Sequence, residues 1–296
     1  MSTTEWDVAE NVLELASKLG AEEVKVSVSR ASHVELDQRN KRLEKSSEAV
    51  TQGLTLTLMV QDRFSAHSTS DLRPDAVKGF VRRAVDATRV LEPDADYRQL
   101  PFESMGKIPL SDLDLVDAGG LRNPTQRGEM VSQLEEEVES RKPENLISAT
   151  SYLWESQSQS RVIFSNGFTG ETESTQYGLG SEVTLSEEGG KRPEASAFFS
   201  ARHLTDLPPV SHVASEVWSR AQESLGGSAA PTGRYTLLLA NRSVGRILGA
   251  ILGPLSGASI WQGRSVFAEK LGERVGSESF SLFDDPTIPR AHGSRS

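Results

Sequence analysis

The sequence predicts an α+β protein in which mainly antiparallel sheets are flanked by helices. Before residue 226, four segments repeat their apolar residues with the period of a helix, and segments with a period of two lie between them. The period-two segments follow one another through short polar turns, as antiparallel strands do. A Gly- and Ser-rich stretch at 226–233 then marks the clearest domain boundary.

Composition limits the classes of protein that the chain can belong to. Its 296 residues are 36% hydrophobic and 25% charged, with a formal net charge of -10. This acidic balance argues against a general binder of nucleic acid or of anionic membranes. The absence of cysteine excludes disulfides and thiol nucleophiles. We recognise no signal peptide and no membrane span, so we expect a soluble, cytoplasmic protein.

The first ninety residues predict a helix, several strands and a second helix. Thr4 with Asp7 indicates the N-cap of the first helix, and Pro74 the start of the second. Asn40 and Lys41 are typical of a tight turn between strands. The apolar positions that we expect to be buried are Val8, Val12, Leu15, Ala16 and Leu19, then Val24, Val26, Val28, Val34, Leu36, Leu54, Leu56 and Leu58, then Val77, Phe80, Val81, Ala84 and Val85.

An acidic connector follows at residues 92–117. Its carboxylates do not have the spacing of a calcium-binding EF-hand loop, which needs a glycine at the sixth position and a terminal glutamate. We interpret the segment as a solvated linker across the surface. The carboxylates are Glu92, Asp94, Asp96, Asp112, Asp114 and Asp117.

Residues 123–203 predict a third helix and an antiparallel meander. Asn123 and Pro124 indicate the N-cap and first residue of the helix. The helix should bury Met130, Val131, Leu134 and Val138 and expose Glu135, Glu136, Glu137 and Glu139. Strands are expected at 146–154 and 161–165, on either side of the polar run 156–160. Asn166 and Gly167 give a hairpin signal, and further turns are expected near 178–180 and 189–190.

A fourth helix, a strand and a fifth helix complete the pattern. Pro208 and Pro209 end the meander, and the fourth helix carries Val213, Val217, Ala221 and Leu225 on one face. Beyond the boundary, a strand is predicted at 235–240 and then a helix whose apolar set is Ile247, Leu248, Ile251, Leu252 and Leu255. Gly245, Gly249 and Gly253 recur every four residues in this helix. We expect that surface to pack against the chain's own core or against a partner subunit.

The residues give no recognisable catalytic, cofactor or metal site. A catalytic zinc takes about three protein ligands. The five histidines are His33, His67, His203, His212 and His292, and only His203 and His212 are near one another, with Pro208 and Pro209 between them. We expect each histidine to be a surface or hydrogen-bonded residue, and keep a zinc site assembled from scattered ligands as an alternative. Ser256 and Ser265 lack a nucleophile elbow and are predicted to serve turns and caps.

Several stretches resemble the TldD/PmbA family in the same order. They are Leu43-Glu44-Lys45, residues 68–72 (STSDL), Asn166-Gly167-Phe168 and residues 235–283, followed by 284–295. In one branch of that family the helix after the 235–240 strand carries a zinc-binding His-Glu-x-x-x-His. Here the helix offers only Asn241, Arg242, Ser243, Arg246 and Ser256. The chain therefore resembles the metal-free PmbA/TldE branch.

The resemblance implies three family domains at 1–100, 101–228 and 229–296. Family members continue beyond this point, so the last domain is expected to be the incomplete start of a β-rich domain, in a truncated gene product or a fragment. We expect this part to expose strand edges and apolar helix surface.

The resemblance also implies a non-catalytic subunit of a peptidase that acts on small or unfolded peptides. A TldD-like subunit would then hold the zinc, and this chain would hold no cofactor of its own. An extended peptide could be held by strand addition, and a homodimer is possible when the partner is absent. Two alternatives stay open. One is an independently active hydrolase with an unrecognised site, and the other is a regulatory binding protein, in line with the family's label as a modulator of DNA gyrase.

Overall fold

The computed structural model describes residues 5–94, 110–141 and 143–294. By packing, the chain divides into a first unit, Met1–Gly226 with Asp285–Ser296, and a second unit, Gly227–Asp284. The elements in chain order are α1 (Glu5–Lys18), β1 (Glu23–Arg39), β2 (Arg42–Val60), β3 (Arg63–Thr69), α2 (Pro74–Thr88), α3 (Leu110–Leu113), α4 (Pro124–Glu139), β4 (Leu146–Phe164), β5 (Thr169–Leu185), β6 (Glu194–Ala201), α5 (Val210–Glu223), α6 (Asn241–Leu255) and α7 (Gly257–Trp261).

One six-stranded antiparallel sheet forms the centre of the first unit. Its strand order is β3-β2-β1-β4-β5-β6, and β1 pairs with β2 on one side and with β4 on the other. The predicted α+β class, with helices flanking an antiparallel sheet, is confirmed. Strands from the predicted first and second domains lie side by side in this sheet, and the boundary between those domains stays a prediction.

The helices of the first unit cover one face of the sheet in two groups. Val24, Val26 and Val28 of β1 belong to an apolar cluster with α1 and α2. Further along the same strand, Val34 and Leu36 belong to a second cluster with α4 and α5. Side chains at even positions of one strand share a face, so both clusters lie on the same side of the sheet. Within the described residues of this unit, no helix covers the opposite face.

The local signals of the sequence are confirmed at the turns and at the third helix. Asn40 and Lys41 adopt φ angles of 51° and 59°, which a two-residue turn of this kind requires. The Asn123 side chain accepts a hydrogen bond from the Gln126 backbone N–H at 3.0 Å, and the Gln126 side-chain oxygen accepts one from the Asn123 backbone N–H. The result is a complete capping box at the start of α4.

Two predicted breaks in the meander are wrong. β4 runs without interruption through the polar residues 156–160, which pair with β1 on one side and β5 on the other. β5 likewise continues through 178–180, where a turn was expected. Neither Gly178 nor Gly180 has a positive φ, so both residues are ordinary strand positions.

Two predictions of exposure are also wrong. Glu135 is only 1% exposed, because it accepts hydrogen bonds from Gln38 Nε2 at 2.6 Å and from the Lys41 backbone N–H at 3.0 Å. In the acidic connector, Leu113 and Leu115 are buried, so residues 113–117 are packed rather than solvated. Residues 95–109 of that connector and Thr4 lie outside the described residues, and Asp7 lies inside α1.

The second unit contains α6 and α7, and its predicted strand is wrong. Residues 235–240 form neither helix nor strand, and Leu238 is 95% exposed. A strand needs a partner to satisfy its backbone hydrogen bonds, and none is described within this unit. The expected exposure of apolar helix surface is confirmed, because α6 buries none of its residues. No helix in the described ranges is both long enough and apolar enough to cross a bilayer.

A buried ion cluster fixes α4 to the sheet in the first unit. The carboxylate of Glu155 on β4 is fully buried and accepts hydrogen bonds from the Arg122 backbone N–H at 3.0 Å, from Arg122 Nε, and from Arg127 Nε at 3.0 Å. Arg122 immediately precedes the cap of α4, and Arg127 lies in its first turns. In the described part of the chain, both Nη atoms of Arg122 are buried without a partner, so its charge relies on Glu155.

We expect Glu155→Gln to lower the free energy of unfolding by about 3–5 kcal/mol, because it leaves two buried guanidinium groups without a counter-charge. The measurement is urea denaturation of the purified chain. Glu129→Gln, at an exposed position of α4, is the matched control and should change stability by less than about 0.5 kcal/mol. Equal effects of the two substitutions would contradict this role for Glu155.

Candidate functional site

Part of the uncovered face of the sheet carries large aromatic side chains beside a patch of polar ones. From the strand register, Ser156, Ser158 and Ser160 of β4 share this face with Thr172, Ser174 and Gln176 of β5. Tyr152 and Trp154 of β4 and Phe198 of β6 lie on the same face further along. We call these three residues the aromatic shelf.

The rings of the aromatic shelf are nearly parallel. The Phe198 ring centroid lies 6.1 Å from that of Tyr152, with 19° between the planes, and 6.1 Å from that of Trp154, with 14° between the planes. On β1, the ring of His33 lies 6.1 Å from that of Trp154. Phe198 is 42% exposed, so the shelf presents ring surface to solvent.

Two glycines of β5 make the shelf possible. Gly178 pairs with Trp154 and Gly180 with Tyr152. A β-carbon at Gly178 would lie 2.2 Å from Trp154 Nε1, and one at Gly180 would lie 2.7 Å from the Tyr152 ring. The glycines therefore leave room for both rings to lie across β5 and reach Phe198 on the next strand.

Sequence reasoning named no site residues and missed the shelf. The signal that could have found it is the matched spacing of two aromatic residues at 152 and 154 with two glycines at 178 and 180. The glycines were interpreted as a turn because glycine is common in turns. Only the register of β4 against β5 shows that each glycine faces an aromatic ring.

Carboxylates border the shelf on two sides. Asp37 on β1 is opposite Tyr152, and Glu182 is the next residue of β5 on this face after Gly180. Burial raises the pKa of Asp37, and the nearby Glu35 raises it further. Burial also raises the pKa of the Tyr152 hydroxyl, with further contributions from Glu182 and Asp37. The Tyr152 hydroxyl is therefore neutral at physiological pH.

The chain segment before residue 294 borders the same face. Gln176 Nε2 donates to Nδ1 of the His292 ring at 3.0 Å, and His292 Nε2 lies 3.1 Å from Ser200 Oγ. Arg290 Nε donates to Asp114 Oδ2 at 2.6 Å, and Arg290 Nη1 donates to Asp206 at 3.0 Å. These contacts tie the segment to the loop after α3 and to β5 and β6.

The loop between α3 and α4 is held by Asp117 and Tyr177. Burial opposes ionisation of Asp117, but hydrogen bonds from the backbone N–H groups of Leu204 (2.8 Å) and Gly119 (2.9 Å) outweigh it, and the pKa of Asp117 is lowered. Burial, then the charges of Asp117 and Glu155, raise the pKa of Tyr177 to about 12. The neutral Tyr177 hydroxyl donates to the Gly120 carbonyl at 2.8 Å.

A second feature of this sheet is the outer edge of β2. β2 pairs with β3 only from Leu54 onward, so residues 42–53 have no strand on their outer side within the described chain. Leu43 and Val50 on this edge are 52% and 58% exposed. Such an edge presents backbone donors and acceptors that an extended chain can use. It lies two strands from β4, or about 10 Å from the shelf.

The histidines make hydrogen bonds or ring contacts. His67 Nε2 lies 2.9 Å from Ser65 Oγ, and His203 Nε2 lies 2.9 Å from the Asp114 carbonyl. The His212 ring packs against that of Phe199. Among the described residues, no group of three or more His, Cys, Asp or Glu side chains could hold a metal ion.

The donor set of α6 does not fit a zinc ion. Its polar residues are Asn241, Arg242, Ser243 and Arg246, and none is an imidazole, thiolate or carboxylate. Nearby, Ser256 caps α7 by accepting from the Ser259 N–H at 3.2 Å, and Ser265 accepts from the Phe267 N–H at 3.0 Å. The predicted cap and turn roles of these two serines are confirmed.

Comparison with known families gives three consecutive matches to one family. Residues 24–88 match PmbA/TldA metallopeptidase domain 1, residues 122–225 match its central domain, and residues 232–296 match its C-terminal domain.

Individual relatives agree with this result. The metalloprotease PmbA of Escherichia coli is 24% identical over 291 residues, which cover 95% of this chain and 62% of that protein. A crystal structure from Bacteroides thetaiotaomicron, described as that of a candidate modulator of DNA gyrase, has a TM-score of 0.90 and 29% identity, and the match covers 99% of this chain and 67% of that one. TldE of Thermococcus kodakarensis has a TM-score of 0.57 at 17% identity over 73% of this chain and 47% of that one, which shows similarity of fold. The chain thus spans about two thirds of the length of the first two relatives.

We expect Gly178→Ala to displace the Trp154 ring, because the new methyl group would overlap it. The substitution should lower the free energy of unfolding by about 1–3 kcal/mol and shift the tryptophan emission maximum to longer wavelength. Denaturation and emission spectra measure both effects. Gly128→Ala in α4 is the control, since nothing lies within 4 Å of its β-carbon. It should stabilise the chain by about 0.5–1 kcal/mol. Unchanged emission in Gly178→Ala would show that the ring does not lie on the glycine.

We expect the stability lost in Asp117→Asn to depend on pH. The pKa of Asp117 is lower in the folded chain than its unfolded value of about 3.9, so its ionised form contributes stability above that pH. This contribution is lost as pH falls through the folded-state pKa. Urea denaturation at a series of pH values should give a constant difference between wild type and variant above about pH 5 that shrinks at lower pH. A difference independent of pH would contradict the assignment.

Proposed function

Because this chain belongs to the PmbA/TldD metallopeptidase family, we propose that it is the PmbA/TldE-like, non-catalytic subunit of a cytoplasmic peptidase complex whose zinc is held by a TldD-like partner. The complex would act in the proteolysis or maturation of small or unfolded peptides. In the proposed complex the partner supplies the metal chemistry, and this chain supplies a folded scaffold and a surface that holds the peptide.

The observation that carries the proposal is the donor set of α6. By its resemblance to the family, this helix corresponds to the one that carries the zinc-binding motif in one branch, and its polar side chains are only amide, hydroxyl and guanidinium groups. A zinc peptidase uses the metal to polarise the scissile carbonyl and to activate water, and both steps require His, Cys or carboxylate ligands. Residues 241–257 contain none of these types. In the proposed complex this chemistry would come from the partner chain.

A peptide-holding role is supported by the outer edge of β2. Residues 42–53 offer backbone groups along their outer side without a neighbouring strand in the described chain. Strand addition uses the peptide's main chain, which every sequence shares, so it suits the capture of unfolded peptides of varied sequence. Most of the backbone of a folded protein is hydrogen-bonded internally, which would favour small or unfolded chains as substrates.

The test is co-expression of this chain with the zinc-bearing paralogue of its organism. We expect a stable complex whose zinc content and cleavage of an unstructured peptide disappear when the partner's zinc-binding histidines are replaced. Asn241→Ala with Ser243→Ala in this chain should leave the zinc content unchanged, because neither side chain is a ligand. Chelator-sensitive cleavage by this chain alone, or zinc loss in the Asn241/Ser243 variant, would overturn the proposal.

A further inference from the structure

The aromatic shelf carries more negative than positive charge around its rim. Glu35, Asp37 and Glu182 lie on this face, and Lys45 of β2 is paired with Glu35 at 2.7 Å. Asp37 and Glu182 form no ion pair within the described residues. At the β6 side, Arg220 approaches the rim, but its charge is matched by Glu216 at 2.8 Å. Lys45 is also the cross-strand partner of Asp37, so the three carboxylates and this lysine leave a net charge of -2 around the shelf.

The ring faces add to this negative potential. The face of an aromatic ring carries the negative part of its quadrupole and attracts lysine or arginine side chains that lie over it. Because Gly178 and Gly180 let the rings lie across β5, the outer ring faces point away from the sheet. An arginine side chain could stack on such a face and reach a carboxylate with its N–H groups.

The dimensions of the face suit an extended segment. From β1, which carries Asp37, to β6, which carries Phe198, there are three strand spacings, or about 14 Å. An extended chain rises about 3.3 Å per residue, so roughly four residues would span the shelf. Beside the rings, Ser196 lies on the same face and carries a hydroxyl group that can bond a peptide backbone, whereas Gln176 and Ser200 are already bonded to His292. A nucleic acid or an anionic lipid surface would be repelled by the same carboxylates.

We propose that the aromatic shelf binds an extended basic peptide, with a lysine or arginine side chain over Trp154 and Tyr152 and its charge between Asp37 and Glu182. This inference deepens the proposed function, since it assigns a preference for basic residues to the peptide that the subunit holds. Binding at the shelf involves no zinc and no second subunit. It can therefore be tested separately from the peptidase complex.

The experiment is isothermal titration calorimetry of the purified chain with three eight-residue peptides. They differ only at three positions, which are all arginine in the first peptide, all glutamine in the second and all glutamate in the third. We expect the arginine peptide to bind and the glutamate peptide not to bind. Binding should weaken as salt rises from about 0.05 to 0.5 M, because exposed charges are screened. Equal affinity for all three peptides, or absence of binding by the arginine peptide at millimolar concentration, would overturn the proposal.

Variants locate the binding on the shelf. The double substitution Asp37→Asn with Glu182→Gln should lower the affinity for the arginine peptide about tenfold, because two exposed ion pairs with the peptide are lost. Glu10→Gln with Glu129→Gln is the matched control, because it removes the same charge from helices on the other side of the sheet and should change affinity less than about twofold. Trp154→Ala should weaken binding about fivefold through loss of the ring face. If the two double variants lowered the affinity equally, the peptide would be attracted by the overall acidic charge of the protein. That result would overturn the assignment of binding to the shelf.

A last measurement tests whether a peptide or a second copy of the chain occupies the shelf. Sedimentation of wild type and Trp154→Ala should give the same mass. A dimer that Trp154→Ala dissociates would show that another copy covers the shelf, and would overturn the peptide assignment. Failure of the zinc-bearing paralogue to bind would leave the titration result intact, so the outcomes for the shelf and for the complex remain distinguishable.

Discussion

The buried carboxylate of Glu155 is the interaction on which the arrangement of the first unit depends. It lies between the two apolar clusters on the helix-covered face, where Arg122 and Arg127 converge on it. A charge removed from water is tolerated only with close counter-charges and hydrogen bonds. The start of α4 and the loop before it are therefore constrained by one side chain of β4, in addition to apolar packing.

Alternation along β4 connects this cluster to the open face. Glu155 points toward the helices, and its neighbour Trp154 points to the aromatic shelf. A shift of β4 by one residue would exchange the two faces, placing an indole among guanidinium groups and a carboxylate on the shelf. β4 is also paired along its length with β1 and β5. The shelf is thus built on a strand that is paired on both sides and whose register the buried ion cluster helps to fix.

Family membership and local chemistry contribute different parts of the functional account. All three domains of the metallopeptidase family are matched, yet α6 has no side chain of the types that bind zinc. A fold can be retained while the chemistry placed on it changes, so function has to be argued from the side chains. The uncovered sheet face presents aromatic rings, and the edge of β2 presents backbone groups that no strand of the described residues pairs with.

The sequence by itself determined the features that depend on neighbours along the chain. The α+β class, the turn at Asn40 and Lys41 and the cap of α4 at Asn123 follow from local periodicity and backbone preference. Only the tertiary structure decided the burial of Glu135 and the role of Gly178, because each depends on a partner that is distant in sequence. Glu135 is buried by groups about 95 residues away, and the Trp154 ring occupies the space that a side chain at Gly178 would fill. Strand register brings such residues together, and it arises from the packing of the whole sheet.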